Sequence, residues 1–516
     1  MMPARRFVWL ALVLASLLLP GCAQLPPLGE RSSSVAPQDT AQTRIGRSVG
    51  ALVQAHPGRS GLVALADGRD AFAARVRLAE VAERSLDVQY YIWHDDMSGT
   101  LLFDALRRAA DRGVRVRLLL DDNNTSALDG ILAALDAHPN IELRLFNPFA
   151  MRNWRALGYL GDFPRLNRRM HNKSFTADNQ ATIIGGRNVG DEYFDAGRDV
   201  LFVDLDVLAI GPVVREVSQD FDRYWASASS YPAARVLPPA DPAATQALAS
   251  AAAGLVHDAH ARAYLTALDN SPFVRAMLAR QLPFEWALAR MVSDDPAKGL
   301  GRAKADDLLW SRLKRIVATP TRELQLVSPY FVPTQAGVDY FVGLARKGVK
   351  VTVLTNSLEA TDVAAVHAGY AKWRRPLLEA GVILYEMKRT SPPPKDRERG
   401  RLGSSSGSSL HAKTFAIDGS QLFVGSFNFD PRSARLNTEL GFVIDCAAMA
   451  QAIAESFADN IATQAYRVRL GADGALQWME EQPDGAEIVH DDEPGAGFWL
   501  RLGVRMMSLL PIDSLL

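Results

Sequence analysis

The chain has 516 residues, 48% apolar and 22% charged, the composition of an ordinary folded protein with apolar mass for more than one core. That composition excludes collagen, coiled coil and disorder throughout. Lys and Arg number 57 against 58 Asp and Glu, a formal net charge of −1, so no basic surplus marks a dedicated nucleic-acid binder. Two cysteines, Cys22 and Cys446, exclude a disulfide framework.

In chain order, Arg5 and Arg6 precede an apolar run, Phe7 to Leu19, that is broken only by Ser16. It is shorter than the roughly 20 residues a membrane span needs. Leu18-Leu19-Pro20-Gly21-Cys22 follows the pattern of a bacterial lipoprotein cleavage box. Residues 1–21 are therefore expected to be removed as a leader. Cys22 is then the lipidation site, holding the mature chain at the bacterial cell envelope, periplasm-facing and membrane-anchored. An ordinary secretory signal is the plainer alternative. Residues 22–50, rich in Pro, Ser, Gln and Ala, are expected to form a flexible tether.

The folded body contains a repeat. Ser85 to Ile92 reads as a strand, Leu101 to Ala110 as a helix, and Arg112-Gly113 as the turn into a second strand ending at Leu120. Glu323 to Tyr330, Val338 to Ala345 and Lys347-Gly348 to Leu354 repeat that order. Strand, helix, glycine turn and strand make a βαβ unit, so each half is expected to be α/β with a mainly parallel sheet. The halves are assigned to residues 51–240 and 314–470. A helical connector, 241–313, joins them, with a short strand near Phe284-Glu285-Trp286. Ser391 to Ser409 is low in complexity and reads as a flexible loop. In the extension 471–516, Phe498 to Leu510 reads as an amphipathic helix that either docks on the body or lies on a membrane interface.

One spacing occurs twice. His171-x-Lys173 is followed after four residues by Asp178 and after six more by Gly185-Gly186-Arg187-Asn188. His411-x-Lys413, Asp418 and Gly425-Ser426-Phe427-Asn428 reproduce it. Side chains at i and i+2 share a face of a strand, so each motif offers an imidazole and an ammonium together. A returning strand then ends in small residues that admit a ligand, with Asn188 or Asn428 just beyond. Two such halves around a pseudo-twofold axis would place two of each group at one site.

Those groups suit a phosphodiester. Lys173, Lys413, Asn188, Asn428 and Ser426 can bind the phosphate oxygens without a metal. One histidine can attack phosphorus while the other protonates the leaving oxygen; the chain itself does not say which does which. Asp199 and Glu439, each eleven positions beyond its asparagine, are candidates to orient the rings. Asp178 and Asp418 complete the motifs and are expected to brace the turn after the first strand. His94-Asp95-Asp96 is the nearest approach to a metal cluster and reads as a loop, so neither metal nor other cofactor is called for.

The duplicated His-x-Lys-x4-Asp motif, with its trailing glycines and asparagine, resembles the signature of the phospholipase D superfamily. The strings from Tyr91 to Asp96, Gly185 to Phe194 and Gly425 to Ser433 are similar to those of bacterial cardiolipin synthases of the C type. The resemblance implies two pseudo-twofold-related α/β/α sandwich halves with the active site at their interface. It also implies phosphatidyl transfer through a phosphohistidine, with His171 as nucleophile and His411 as general acid and then base. The expected partners are phospholipids (phosphatidylglycerol, with phosphatidylethanolamine as a second candidate) and a membrane surface, with no nucleic acid. Arginines and aromatics interleaved between Asn153 and Met170 suit an anionic headgroup. A phospholipase D hydrolase, a nuclease on the same fold and an inactive tethered binding module are the competing readings. Oligomeric state is left open.

Overall fold

A computed structural model describes residues 25–197, 203–389, 410–482 and 484–510. The apolar leader, Cys22, Asp199 and the low-complexity stretch 391–409 lie outside them. The first half contributes β1 (Ser60–Leu65), β2 (Ser85–Ile92), β3 (Arg115–Asn124), β4 (Ile141–Phe146), β5 (Ser174–Ala177), β6 (Ala181–Gly185), β7 (Asp206–Ile210) and β8 (Ser230–Pro232). They hydrogen-bond in the order β8-β4-β3-β2-β5-β6-β7-β1, with β2, β3 and β4 parallel and the rest antiparallel.

Strand β9 (Glu285–Ser293) follows the connector helices. The second half then adds β10 (Glu323–Val327), β11 (Lys350–Asn356), β12 (Ile383–Met387), β13 (Thr414–Ile417), β14 (Gln421–Gly425), β15 (Leu440–Asp445) and β16 (Ala465–Leu470). Their order, β16-β12-β11-β10-β13-β14-β15-β9, matches the first half strand for strand. Two C-terminal strands, β17 (Leu476–Glu481) and β18 (Glu487–His490), extend that edge. β9 pairs with β1 through Glu285–Ala287 and with β15 through Leu288–Ser293, so one strand ties the two halves.

The parallel strands are buried on both faces, as crossover helices require. Met97–Asp111 (α2, after α1, Arg44–Ala55) packs its apolar side over β3. Gly113 and Gly348, at φ +90° and +85°, turn the chain from helix to strand in a conformation that favours glycine.

Two sequence expectations need correction. Residues 25–50 are not a free tether. Arg31 donates to the carbonyls of Ala226, Ser227 and Ser230, and buried Arg117 and Arg144 donate to Ser34 and Ser32. Ala36 and Thr40 are buried, and α1 begins at Arg44. Composition predicts disorder only where nothing anchors the chain, and here guanidinium donors capture its carbonyls. The short strand expected in the connector is the nine-residue β9, which stands where β1 stands in the first half.

Candidate active site

Each half ends β5 or β13 and β6 or β14 at the same place. His171 lies ahead of β5 and His411 ahead of β13, and both histidines are held by the opposite half. The His171 N–H donates to the Thr438 carbonyl (2.9 Å) and the His411 N–H to the Val203 carbonyl (2.9 Å). Each contact continues an isolated parallel bridge, Met170 with Thr438 and Val203 with Leu410. The residue after each carbonyl is an acid aimed at the ring. His171 Nδ1 lies 2.8 Å from Glu439 Oε2, and His411 Nδ1 lies 2.5 Å from Asp204 Oδ2. Both carboxylates are fully buried.

Asp204 was not among the residues singled out from the sequence. Asp199, chosen by equal spacing from Asn188, lies outside the described residues, and the carboxylate on His411 is Asp204. The first half carries five more residues between asparagine and acid than the second. Counting from the next strand finds it, because Asp204 and Glu439 each stand just ahead of the strand that pairs with β6 or β14.

The glycines after β6 and β14 have a different use from the one expected. A Cβ on Gly186 would lie 2.1 Å from Asp204 Oδ1, and one on Gly185 2.1 Å from Asp206 Oδ1. The missing side chains make room for acids of the next strand rather than for a ligand. Ser426 stands at the Gly186 position, and its hydroxyl donates to Glu439 Oε2 and accepts from the Leu440 N–H. It is committed to holding the acid rather than open to a phosphate.

Lys173 and Lys413 are buried beside their histidines, each donating to its own histidine carbonyl, Lys173 at 2.7 Å. Tyr91 and Tyr193 turn ring edges onto His171 and His411, with centroids 5.0 and 5.1 Å apart. Asn188 accepts from the Ile92 N–H and donates to the Tyr193 hydroxyl, so it positions that ring. Asn428 is buried, and its carboxamide oxygen has no hydrogen-bond partner among the described residues.

Asp178 and Asp418 do not reach the site. Asp178 accepts from the N–H groups of Glu83, Arg84 and Ser85, and Asp418 from those of Thr321, Arg322 and Glu323. Each pins a hairpin turn to the start of β2 or β10, which is the brace the sequence led us to expect.

The electrostatics are lopsided. Burial, then the ammoniums of Lys173 and Lys413, holds His171 well below the usual imidazole range. Burial, then Lys413, pulls His411 down to about 3 against the support of Asp204. Burial lowers the Lys413 ammonium to about 8 and pulls Lys173 well down too. Burial pushes Glu439 up to about 7, opposed by Lys173 and the Ser426 hydroxyl. Asp204, although equally buried, is held below the usual range by His411, Lys413 and Arg187. Burial thus disfavours charge on both histidines and both lysines. An anionic phosphate beside them would draw all four upward.

His94, expected in a divergent loop, instead meets Asp96 and Glu192, with Nδ1 3.1 Å from Glu192 Oε1. The Asp96 carboxylate already caps α2 through the Gly99 N–H and accepts from the Asp191 N–H. Helix capping and the His94–Glu192 contact account for the group.

Comparison with known proteins agrees with this geometry. A family model described as "Cardiolipin synthase, PLD-like domain" matches residues 76–225 and 313–461. Cardiolipin synthase C of Escherichia coli K12 is 52% identical over 474 residues, covering 92% of this chain and 100% of its own. Cardiolipin synthase A of Pseudomonas entomophila is 27% identical over 86% of this chain and 73% of its own. Among solved structures, phosphatidylserine synthase of Haemophilus influenzae Rd KW20 shares the fold, with a TM-score of 0.50 at 12% identity. That match covers 82% of this chain and 91% of the other.

Proposed function

The chain belongs to the cardiolipin synthase family of phospholipase D-like enzymes, and from that premise we propose that it moves a phosphatidyl group from one phospholipid to a hydroxyl of another. The carrying observation is the crossed pairing, each motif histidine held through Nδ1 by a buried carboxylate of the opposite half. Pinning Nδ1 leaves Nε2 of each ring as the reacting nitrogen.

In this reading His171 Nε2 attacks phosphorus of phosphatidylglycerol or phosphatidylethanolamine, forming P–N as the bond to the headgroup oxygen breaks. Protonated His411 gives its proton to that oxygen, and the free headgroup alcohol departs. His411 then takes the proton of an incoming hydroxyl on a second phosphatidylglycerol. That oxygen attacks phosphorus, P–N breaks, and His171 is restored with cardiolipin as product. Water as acceptor would give phosphatidic acid instead, so exclusion of water separates synthase from hydrolase.

We assign the roles from the two carboxylates. The nucleophile must be neutral, which burial and the ammoniums favour at both rings, so the acid behind each ring decides. The acid must carry charge in turn, and Asp204, the more firmly ionised carboxylate, stands behind His411. Lys173, Lys413 and Asn428 hold the phosphate oxygens; Asn188 positions Tyr193 against His411, and Ser426 holds Glu439 on His171. No metal or cofactor enters. The enzyme acts at a membrane surface, and lipidation of Cys22 would hold it on the periplasmic side of the envelope.

Purified protein supplied with labelled phosphatidylglycerol, phosphatidylethanolamine and DNA should consume the lipids and release cardiolipin. Phosphatidic acid as the sole product would make it a hydrolase, and cleavage of DNA alone would overturn the reading.

A further inference from the structure

The C-terminal helix Phe498–Met507 faces the wrong way for a core element. Trp499, Leu502 and Met506 recur at three- and four-residue steps and so share one side. They are 79%, 39% and 59% exposed, whereas Val504, on the other side, is 3% exposed against Leu358, Ala368 and Ala496. The helix is nevertheless held firmly. Just ahead of it, Glu493 accepts from Arg374 at 2.6 Å and pairs with His367 at 2.9 Å. Arg374 is itself buried on Glu386. A buried ionic network thus fixes a helix whose apolar stripe points outward.

A second outward apolar band lies on the other half. In Arg155–Leu166 and the turn before it, Trp154, Leu157, Leu160 and Phe163 are all exposed, Leu160 by 85%.

Contacts lead from both bands toward the rings and lysines of the active site. The Tyr159 hydroxyl of the first-half helix donates to Asn123 at the end of β3, and Tyr159 senses Tyr91, the ring against His171. The C-terminal helix packs on Ala364–Ala371. That helix starts two residues after Asp362, which accepts from Tyr330 and lies within electrostatic reach of Lys413.

We propose that these two helices form a bilayer-docking surface, one on each side of the catalytic mouth, that sets the mouth against a membrane containing anionic lipid. The inference rests on the phosphatidyl-transfer reading, since such a substrate must leave a bilayer. Exposed Trp and Phe match the headgroup level of a bilayer, and exposed Arg505 beside the stripe complements anionic headgroups, while Arg501 next to it pairs with Asp492 at 3.4 Å.

The test uses the mature chain from residue 22 onward carrying Cys22→Ser, so that neither the apolar leader nor an acyl chain at residue 22 holds it to lipid. It is floated with vesicles of equal parts phosphatidylcholine and phosphatidylglycerol, and with phosphatidylcholine alone. The parent should float with the first and far less with the second. Trp499→Asp combined with Leu502→Asp should cut flotation roughly tenfold or more, as loss of buried apolar area requires, while Trp499→Phe should retain it. Both sites are exposed, so equal thermal unfolding of the variants confirms intact folds. Equal flotation of parent and double variant overturns the proposal. So does a parent that ignores vesicles but elutes as a dimer that the double variant splits, which would make the stripe an interface between copies. Cardiolipin formation in detergent micelles is assayed alongside. Its absence, with Trp499-dependent flotation intact, would sink the transferase reading and leave the surface standing.

Discussion

At the scale of single residues, the site is held by groups that never touch the reacting atoms. Gly186 is the sharpest case, because an added methyl would fall 2.1 Å from Asp204 Oδ1. Gly186→Ala should therefore displace the carboxylate behind His411 and cost about 10²-fold in kcat, the toll of an ångström-scale misplacement. Steady-state turnover at unchanged melting temperature checks this. Asp178→Ala should act the other way round. It orphans three N–H groups at the start of β2 and should cost about 1–3 kcal/mol of stability, read by denaturant unfolding. Glu439 couples the two kinds of effect. Its pKa is raised from 4.5 to about 7, so the stability it contributes is complete below about pH 4.5 and declines as pH rises through about 7. Glu439→Gln removes that decline. Above pH 7 it should melt no lower than the parent while losing most of its turnover, and a large drop in melting temperature there would contradict the assignment. The motif residues were legible because they occur twice at one spacing. Asp204 was not, because the loop before it differs in length between the halves and only the strand that follows keeps the register.

At the scale of elements, β9 does what no local pattern announces. Phe284-Glu285-Trp286 pointed to a short strand, but its partner strands lie far along the chain, β1 on one side and β15 on the other. A fragment starting at residue 314 lacks β9 and leaves the β15 edge unpaired. One starting at residue 283 keeps it. The first should aggregate faster than the second, as light scattering would show, because its open β15 edge recruits other chains. The segment 25–50 was misjudged for a related reason. Its own composition carries no core, and what anchors it lies in the body: the carbonyls that take Arg31, and the guanidiniums of Arg117 and Arg144. The C-terminal helix, by contrast, was legible as amphipathic, but only the packing of Val504 and Glu493 shows which side faces out.

At the scale of the whole molecule, the halves exchange carboxylates. Half one supplies His171 and the acid for His411, and half two supplies His411 and the acid for His171. Neither half alone should turn over substrate. The βαβ repeat and the doubled motif made a two-half α/β fold readable from sequence, whereas the crossing of acids between halves depends on long-range bridges with no local signature. Lysines and amides stand in for a cation in this account, so turnover should survive EDTA, and activity restored only by a divalent ion would count heavily against it. The most direct measurement is of the covalent intermediate. Removing His411 removes only proton transfer, usually worth about 10²–10⁴ in rate, so His411→Ala given a nitrophenyl phosphodiester, whose leaving group needs no proton, should accumulate acid-labile phosphate on His171. Mass spectrometry that instead finds the adduct on His411 in His171→Ala, or on neither single variant, would contradict the mechanism.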